Sequence, residues 1–167
     1  SWAASDYPAR NIQFIIPYAP GGGFDSYVRF ISPVMEHALP RAVSIVPMNV
    51  TAGSGARGIT QLYRSKPDGY TIGLFDTALA TNPSLYPAMP FDPQRDLAPI
   101  SLIARGPLVL VVNPAFSAKT VGELVSMAKA KPGAITYASA GNGTPVHLAA
   151  EMLKSSAGID LLHVPYK

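Results

Sequence analysis

The sequence predicts an α/β fold built on parallel strands, and three observations carry that expectation. Short apolar runs alternate with stretches of helical spacing along the whole chain, and strand–helix–strand alternation argues for a parallel sheet with helical crossovers. Turn and cap residues punctuate those runs: K-P-D-G at 66–69, P-G at 132–133 and T-P at 144–145. Apolar residues make up 48% of the chain and charged residues 14%, a composition that buries a core and is not that of a disordered chain. A length of 167 residues fits one ordinary domain, or two small ones joined by a crossover.

The elements follow in order. Residues 11–17, N-I-Q-F-I-I-P, read as a buried strand. Residues 24–39 read as a helix, with apolar positions at Phe24, Tyr27, Val28, Ile31, Val34, Met35 and Ala38. Pro33 lies inside it, removes a backbone donor and predicts a kink or break near 29–33. Residues 43–48 form a second strand, 56–66 a second helix and 70–75 a third strand. Residues 77–99 carry Pro83, Pro87, Pro90, Pro93 and Pro99, so one short helix and then an irregular crossing are expected. Residues 97–112 are apolar and β-branched, broken at Gly106-Pro107, and read as one or two strands. Thr120 followed by Glu123 is a capping box that opens a helix to about Lys131. A strand at 135–139 follows. Thr144-Pro145 then starts a helix that runs to about Ala157 and stops at Gly158, and a last strand spans 161–164.

Charge and special residues narrow the function classes. The net charge is +3 and the pI about 9.2, but no run of Lys or Arg exists. The excess steers small anions at most, and no nucleic-acid partner is expected. The absence of cysteine excludes disulfides, thiolate metal sites and a Cys nucleophile. No apolar stretch is long enough to span a bilayer. The start, S-W-A-A-S-D-Y-P, has small residues at Ser1 and Ala3. That fits the scar of a removed signal peptide, and it equally fits an ordinary frayed terminus.

Two loops could carry chemistry. One is Tyr18-Ala19-Pro20-Gly21-Gly22-Gly23, the other Ser139-Ala140-Gly141-Asn142-Gly143-Thr144, and each lies between a strand and a helix start. Helix N-termini carry unpaired N–H groups and partial positive charge, and glycine lets an anion reach them. Two such loops suggest two lobes closing on one anionic group. The alternative is that both are plain strand-to-helix turns. Asp25 either caps its helix and shapes the first loop, or pairs with a ligand amine. His147 either donates to a ligand or makes a structural hydrogen bond. His37 and His163 have no metal spacing and read as structural. A competing motif is Gly53-x-Gly55-x-x-Gly58 with Asp76 about 20 residues on, the layout of a dinucleotide site. Against it, 49–52 separate the strand from the first glycine. No Walker lysine, nucleophile elbow, zinc-ligand His pair or persuasive nucleophile and base is present.

Six stretches together resemble the Bug family of periplasmic solute-binding proteins, the TctC-like receptors of tripartite tricarboxylate transporters. They are P-Y-A-P-G-G-G-F-D (17–25), K-P-D-G-Y-T (66–71), N-P-S-L-Y (82–86), P-F-D-P-Q-R-D-L-A-P-I (90–100), Y-A-S-A-G-N-G-T-P-V-H-L-A-A-E (137–151) and H-V-P-Y-K (163–167). The resemblance implies a two-lobed, type II-like periplasmic-binding-protein fold with only its N-terminal part present. Its first lobe would be residues 1–100, βαβαβ and incomplete without a C-terminal return. Its second would be residues 101–167, also βαβαβ and incomplete. It implies a periplasmic protein, not an enzyme and without a cofactor or metal, that captures a small carboxylate for membrane transporter subunits. The ligand-binding residues it implies are Tyr18, Pro20, Gly21, Gly22, Gly23, Phe24 and Asp25 on the first loop, Asp76, Thr77 and Ala78 after the third strand, and Ser139, Gly141, Asn142, Gly143, Thr144 and His147 on the second. The ligand class it implies is a di- or tricarboxylate or an aromatic acid, and Tyr18 and Phe24 would put aromatic surface near the mouth, which suits an aromatic or apolar-bodied acid.

The chain departs from the family in three places. Met48-Asn49 and then T-A-G-S-G-A-R-G stand where the family has Glu-Asn and a P-G-A-G-G-like run, and Pro33 is unusual in the first helix. Family members also continue well beyond H-V-P-Y-K. The resemblance therefore reads the chain as a fragment or a truncated member, whose incomplete lobes would self-associate or bind nothing alone.

Overall fold

The computed structural model describes residues 6–86, 88 and 90–166. Ser1 and Ala3, on which the signal-peptide expectation rests, lie outside the described residues, as do Pro87 and Lys167. The chain divides into two compact units, Ser1–Ala98 and Pro99–Lys167.

The first unit is built on three parallel strands, β1 (Ile12–Ile16), β2 (Ile45–Asn49) and β3 (Thr71–Gly73), in the order β2-β1-β3. Ile12 pairs with Ile45 and Ile16 with Asn49, while Gln13 pairs with Thr71. In β1 the residues Ile12, Phe14, Ile15 and Ile16 are all buried. β1 is the central strand, and apart from the exposed Gln13 it reads as an apolar run, as a strand flanked on both edges does. Helix α1 (Gly23–Ala38) lays Phe24, Val28, Ile31 and Met35 on the core formed with Ile12, Phe14, Ile16 and Ile45.

Of the kink or break expected at Pro33, the break does not occur: helix α1 is continuous through it. Pro33 stands on the exposed face, where a missing donor costs least, and the next turn resumes. Helix α2 (Ala56–Arg64) starts from a 3-10 turn at Gly53–Gly55. A Cβ on Gly58 would stand 3.2 Å from Pro17 Cα and 3.3 Å from the Val50 carbonyl, so this glycine lets α2 lie close on the strand ends. Helix α3 (Ala78–Leu85) follows β3 and includes Pro83.

The second unit contains α4 (Val121–Ala130), β4 (Thr136–Ser139), α5 (Pro145–Ala157) and β5 (Leu162–Pro165). Strands β4 and β5 are parallel, with Tyr137 opposite His163 and Ser139 opposite Pro165. Ala128, Ile159 and Leu161 form its core, with Val125, Ile135, Tyr137 and Leu153 packed against them. The capping box at Thr120 and Glu123 is formed with both of its hydrogen bonds, and α5 has Thr144 as N-cap and Gly158 as a left-handed C-cap at φ 60°.

The strand expected at 97–112 does not form, so this unit reads αβαβ and not βαβαβ among the described residues. Ile100, Leu102, Val109 and Val111 are 66–82% exposed. β-branched residues favour an extended backbone, but a strand also needs a partner to take its amides and carbonyls, and no described segment pairs with this one.

Candidate functional site

The first loop is braced from beneath by a polar network. Gly21 N donates to Asp25 Oδ2 at 2.9 Å, and Arg29 Nε donates to the same oxygen at 3.0 Å. Arg29 first, and the Gly21 amide second, hold the Asp25 carboxyl down to about 2. Arg29 Nη2 reaches Asn49 Oδ1 at 3.4 Å, and Asn49 Nδ2 donates to the Tyr18 carbonyl at 2.9 Å. The end of β2, the first turns of α1 and the loop are thus tied together. Asp25 is only 5% exposed, so it supports the loop and is not an open contact for an amine.

Tyr18 ties this loop to the one after β3. Its hydroxyl donates to Asp76 Oδ2 at 2.7 Å, and Asp76 Oδ1 accepts from Ala78 N at 2.8 Å. Burial, and then Asp76, push the phenol well above its ordinary range. The Tyr18 ring meets Phe24 edge-on at 4.8 Å. Thr77 is the N-cap of α3, and Ala78 is buried.

Pro20 and all three glycines of the first loop are exposed. Only Gly21, at φ +82°, needs glycine for its conformation. Gly22 has φ −77° and ψ 175°, and an added Cβ would meet only the Ala19 carbonyl, at 3.5 Å. An added Cβ on Gly23 would meet nothing within 4 Å. Gly22 is the N-cap of α1, and no side chain caps the helix there. The backbone therefore permits side chains at two of the three glycines, and the helix start carries none.

The second loop is closed on itself. Gly141 N donates to Ser139 Oγ at 3.1 Å, Gly143 N donates to His147 Nδ1 at 3.0 Å, and Thr144 Oγ1 donates to the Gly141 carbonyl at 2.8 Å. His147 N reaches Thr144 Oγ1 at 3.4 Å. Gly141 and Gly143 stand at φ +122° and +78°, so both need glycine for conformation alone. Gly143 and Thr144 are buried, while Asn142 is exposed. The amides of Gly141 and Gly143, expected to face a ligand, are spent on the loop. His147 supports Gly143 through Nδ1, and its Nε2 lies 3.9 Å from Glu151.

His163, read from the sequence as merely structural, stands in this cluster. Its Nε2 is 2.6 Å from Ser139 Oγ, and its ring stacks on His147 at 4.2 Å and on Tyr137 at 4.8 Å. Burial first, and His147 second, lower its pKa. Tyr137 and Lys154 both donate to Glu151 Oε1, at 2.6 and 2.8 Å. Sequence spacing carries no sign of this grouping. It depends on the β4–β5 register, which places His163 beside Tyr137.

The dinucleotide layout is not assembled. Gly53 follows β2 and Asp76 follows β3, and β1 lies between those strands. Both oxygens of Asp76 already hold donors. No described helix is long and apolar enough to cross a membrane.

Comparison with known proteins gives a consistent set of matches. The family model described as "Tripartite tricarboxylate transporter family receptor" matches residues 28–167. Protein BugT of Bordetella pertussis (strain Tohama I) is 34% identical over 99% of this chain and 51% of its own length. An R. palustris protein solved with adipate superposes with a TM-score of 0.89 at 30% identity, over 97% of this chain and 54% of that one. The periplasmic binding protein BugD gives a TM-score of 0.80 at 33% identity, over 96% and 53%. The chain thus spans about half the length of the relatives it matches.

Proposed function

The chain belongs to the tripartite tricarboxylate transporter receptor family, the Bug family its motifs resemble, and from that premise we propose that it takes part in capturing a small carboxylate. The capture is by binding, without catalysis, in the periplasm, and the ligand is passed to membrane transporter subunits. Residues 18–25 receive the carboxylate. The amides at Gly22, Gly23 and Phe24 are its donors, aided by the partial positive charge of the α1 N-terminus. Tyr18 and Phe24 take the hydrocarbon body, and Asp76, Thr77 and Ala78 flank it. The second loop, from Ser139 to Thr144 with His147, is a second carboxylate contact within its own unit, its shape set by its own hydrogen bonds. A dicarboxylate with an apolar middle is the favoured class, and the adipate held by the R. palustris relative supports it.

The observation that carries this reading is the pair Gly22 and Gly23. The fold leaves room for a side chain at both, and ordinary backbone angles at Gly22. Clearance for a ligand accounts for what conformation does not. The Gly22→Val variant is expected to keep its unliganded melting temperature and to lose at least about tenfold in adipate affinity, about 1.4 kcal/mol. Titration calorimetry of both proteins checks it, with NAD as the control ligand. Unchanged affinity would remove the backbone-amide site.

A further inference from the structure

The Ser139 hydroxyl has more neighbours than it has protons. Its Oγ lies 3.1 Å from Gly141 N, 3.1 Å from the Gly141 carbonyl and 2.6 Å from His163 Nε2. A hydroxyl offers one O–H and two lone pairs. Gly141 N–H can only donate, and the Gly141 carbonyl can only accept. All three contacts are satisfied in one way. Ser139 gives its proton to the carbonyl, takes the Gly141 N–H on one lone pair, and takes an N–H from His163 on the other. If instead His163 carried its proton on Nδ1, Ser139 would have to turn its own proton to the imidazole and drop the carbonyl. The neighbouring ring obeys the same logic. His147 Nδ1 accepts from Gly143 N–H, so its proton sits on Nε2, toward Glu151.

We propose that His163 is a positioning residue of the second loop, which as its Nε2–H tautomer donates to Ser139 Oγ and thereby fixes Gly141. It acts on the ligand only through the loop. The charged and titratable groups around it are His147, Glu151 and Lys154 on α5 and Tyr137 on β4. Stacking on Tyr137 and His147 holds the plane of the His163 ring, and within that plane Nε2 faces Ser139 Oγ at 2.6 Å. Lowering of its pKa by burial keeps the ring neutral near pH 7, and a neutral ring is the state in which the tautomer has meaning.

The proposal rests on the carboxylate-receptor reading for its effect on binding, but its first test does not. Nitrogen-15 NMR of the full chain reads the tautomer directly. The expected spectrum has His163 protonated on Nε2, and an Nδ1–H ring would overturn the proposal whether or not any ligand binds. Two variants then separate positioning from packing. His163→Phe keeps a flat ring in the stack and removes the donor, while His163→Gln supplies an N–H near the same place. The Gly141 amide is expected to lose protection from hydrogen exchange by about tenfold or more in His163→Phe. It should stay within about threefold of the parent in His163→Gln. Adipate affinity is expected to follow the same order. Equal protection of Gly141 in both variants would show that the ring only packs. Failure of the unaltered chain to bind adipate, with the Gly141 pattern intact, would remove the proposed ligand and leave the positioning role standing.

Discussion

The two glycine loops look alike in the sequence and are built on opposite plans. Both join a parallel strand to a helix. The first is supported from below by Asp25, Arg29 and Asn49, and its upper rim, Gly22 to Phe24, has no side-chain cap. The second is capped by Thr144 and bound to Ser139 and His147, so its glycine amides face inward. Glycine therefore has two meanings in one chain. In the second loop it answers a backbone angle, whereas at Gly22 and Gly23 neither a left-handed backbone angle nor a close neighbour requires it. One loop leaves its helix start without a side-chain cap and the other is closed on itself.

The largest expected effect tests that distinction with one substitution at two places. Gly143→Ala forces a side chain into the left-handed region at φ +78° and should destabilise the second unit by about 1–2 kcal/mol. Gly23→Ala meets no neighbour at the first position of α1 and should stabilise the first unit by about 0.4–1 kcal/mol. Urea unfolding monitored separately for each unit gives both numbers. Effects of the same sign would mean that the loops do not differ as described.

A slightly smaller effect concerns the caps. Thr144→Ala removes the acceptor for His147 N and the donor to the Gly141 carbonyl, and should cost about 1 kcal/mol. The first helix has no counterpart to lose. Gly22→Asp would instead give α1 a cap while setting a negative charge where the carboxylate is proposed to sit. Greater stability with abolished adipate binding is expected, and calorimetry with a thermal melt reads both. A variant that gained stability and still bound would break the link between the uncapped rim and the ligand.

How much of this was legible follows from which signals are local. Both ends of helix α5 were legible because Thr144, Pro145 and Gly158 are local signals for them, and β1 was legible as an apolar run with a turn behind it. The strand expected at 97–112 failed because pairing is non-local: the residue types were right and no described segment pairs with them. Pro33 does not break α1, because the cost of its missing donor depends on which face of the helix it occupies. The positions of both loops were also readable from glycine between strand and helix. Which amides stay open was not, since that depends on Arg29 and Asn49 in one unit and on His163 in the other, all brought in by register and packing. Motif resemblance supplied the family, and could not have distinguished the two plans.

The smallest expected effect places the two loops in different acid windows. The Asp25 carboxyl is held near 2 in the folded chain, below its unfolded value of about 3.9. Its contribution is complete above that value and is lost as pH falls from about 4 toward 2. His163 is also lowered when folded, but it is a base, so the unfolded chain takes up its proton first. Its contribution is complete above about 6.5 and is lost as pH falls through that value toward the lower folded one. The amide shifts of Gly141 and Gly143 should therefore move before those of Gly21 as pH is lowered. Arg29→Met should bring the Gly21 transition to higher pH and leave the second loop's unchanged, because the two networks share no residue. A single transition common to both loops would mean that they are coupled, and that the open loop and the closed one answer to the same groups.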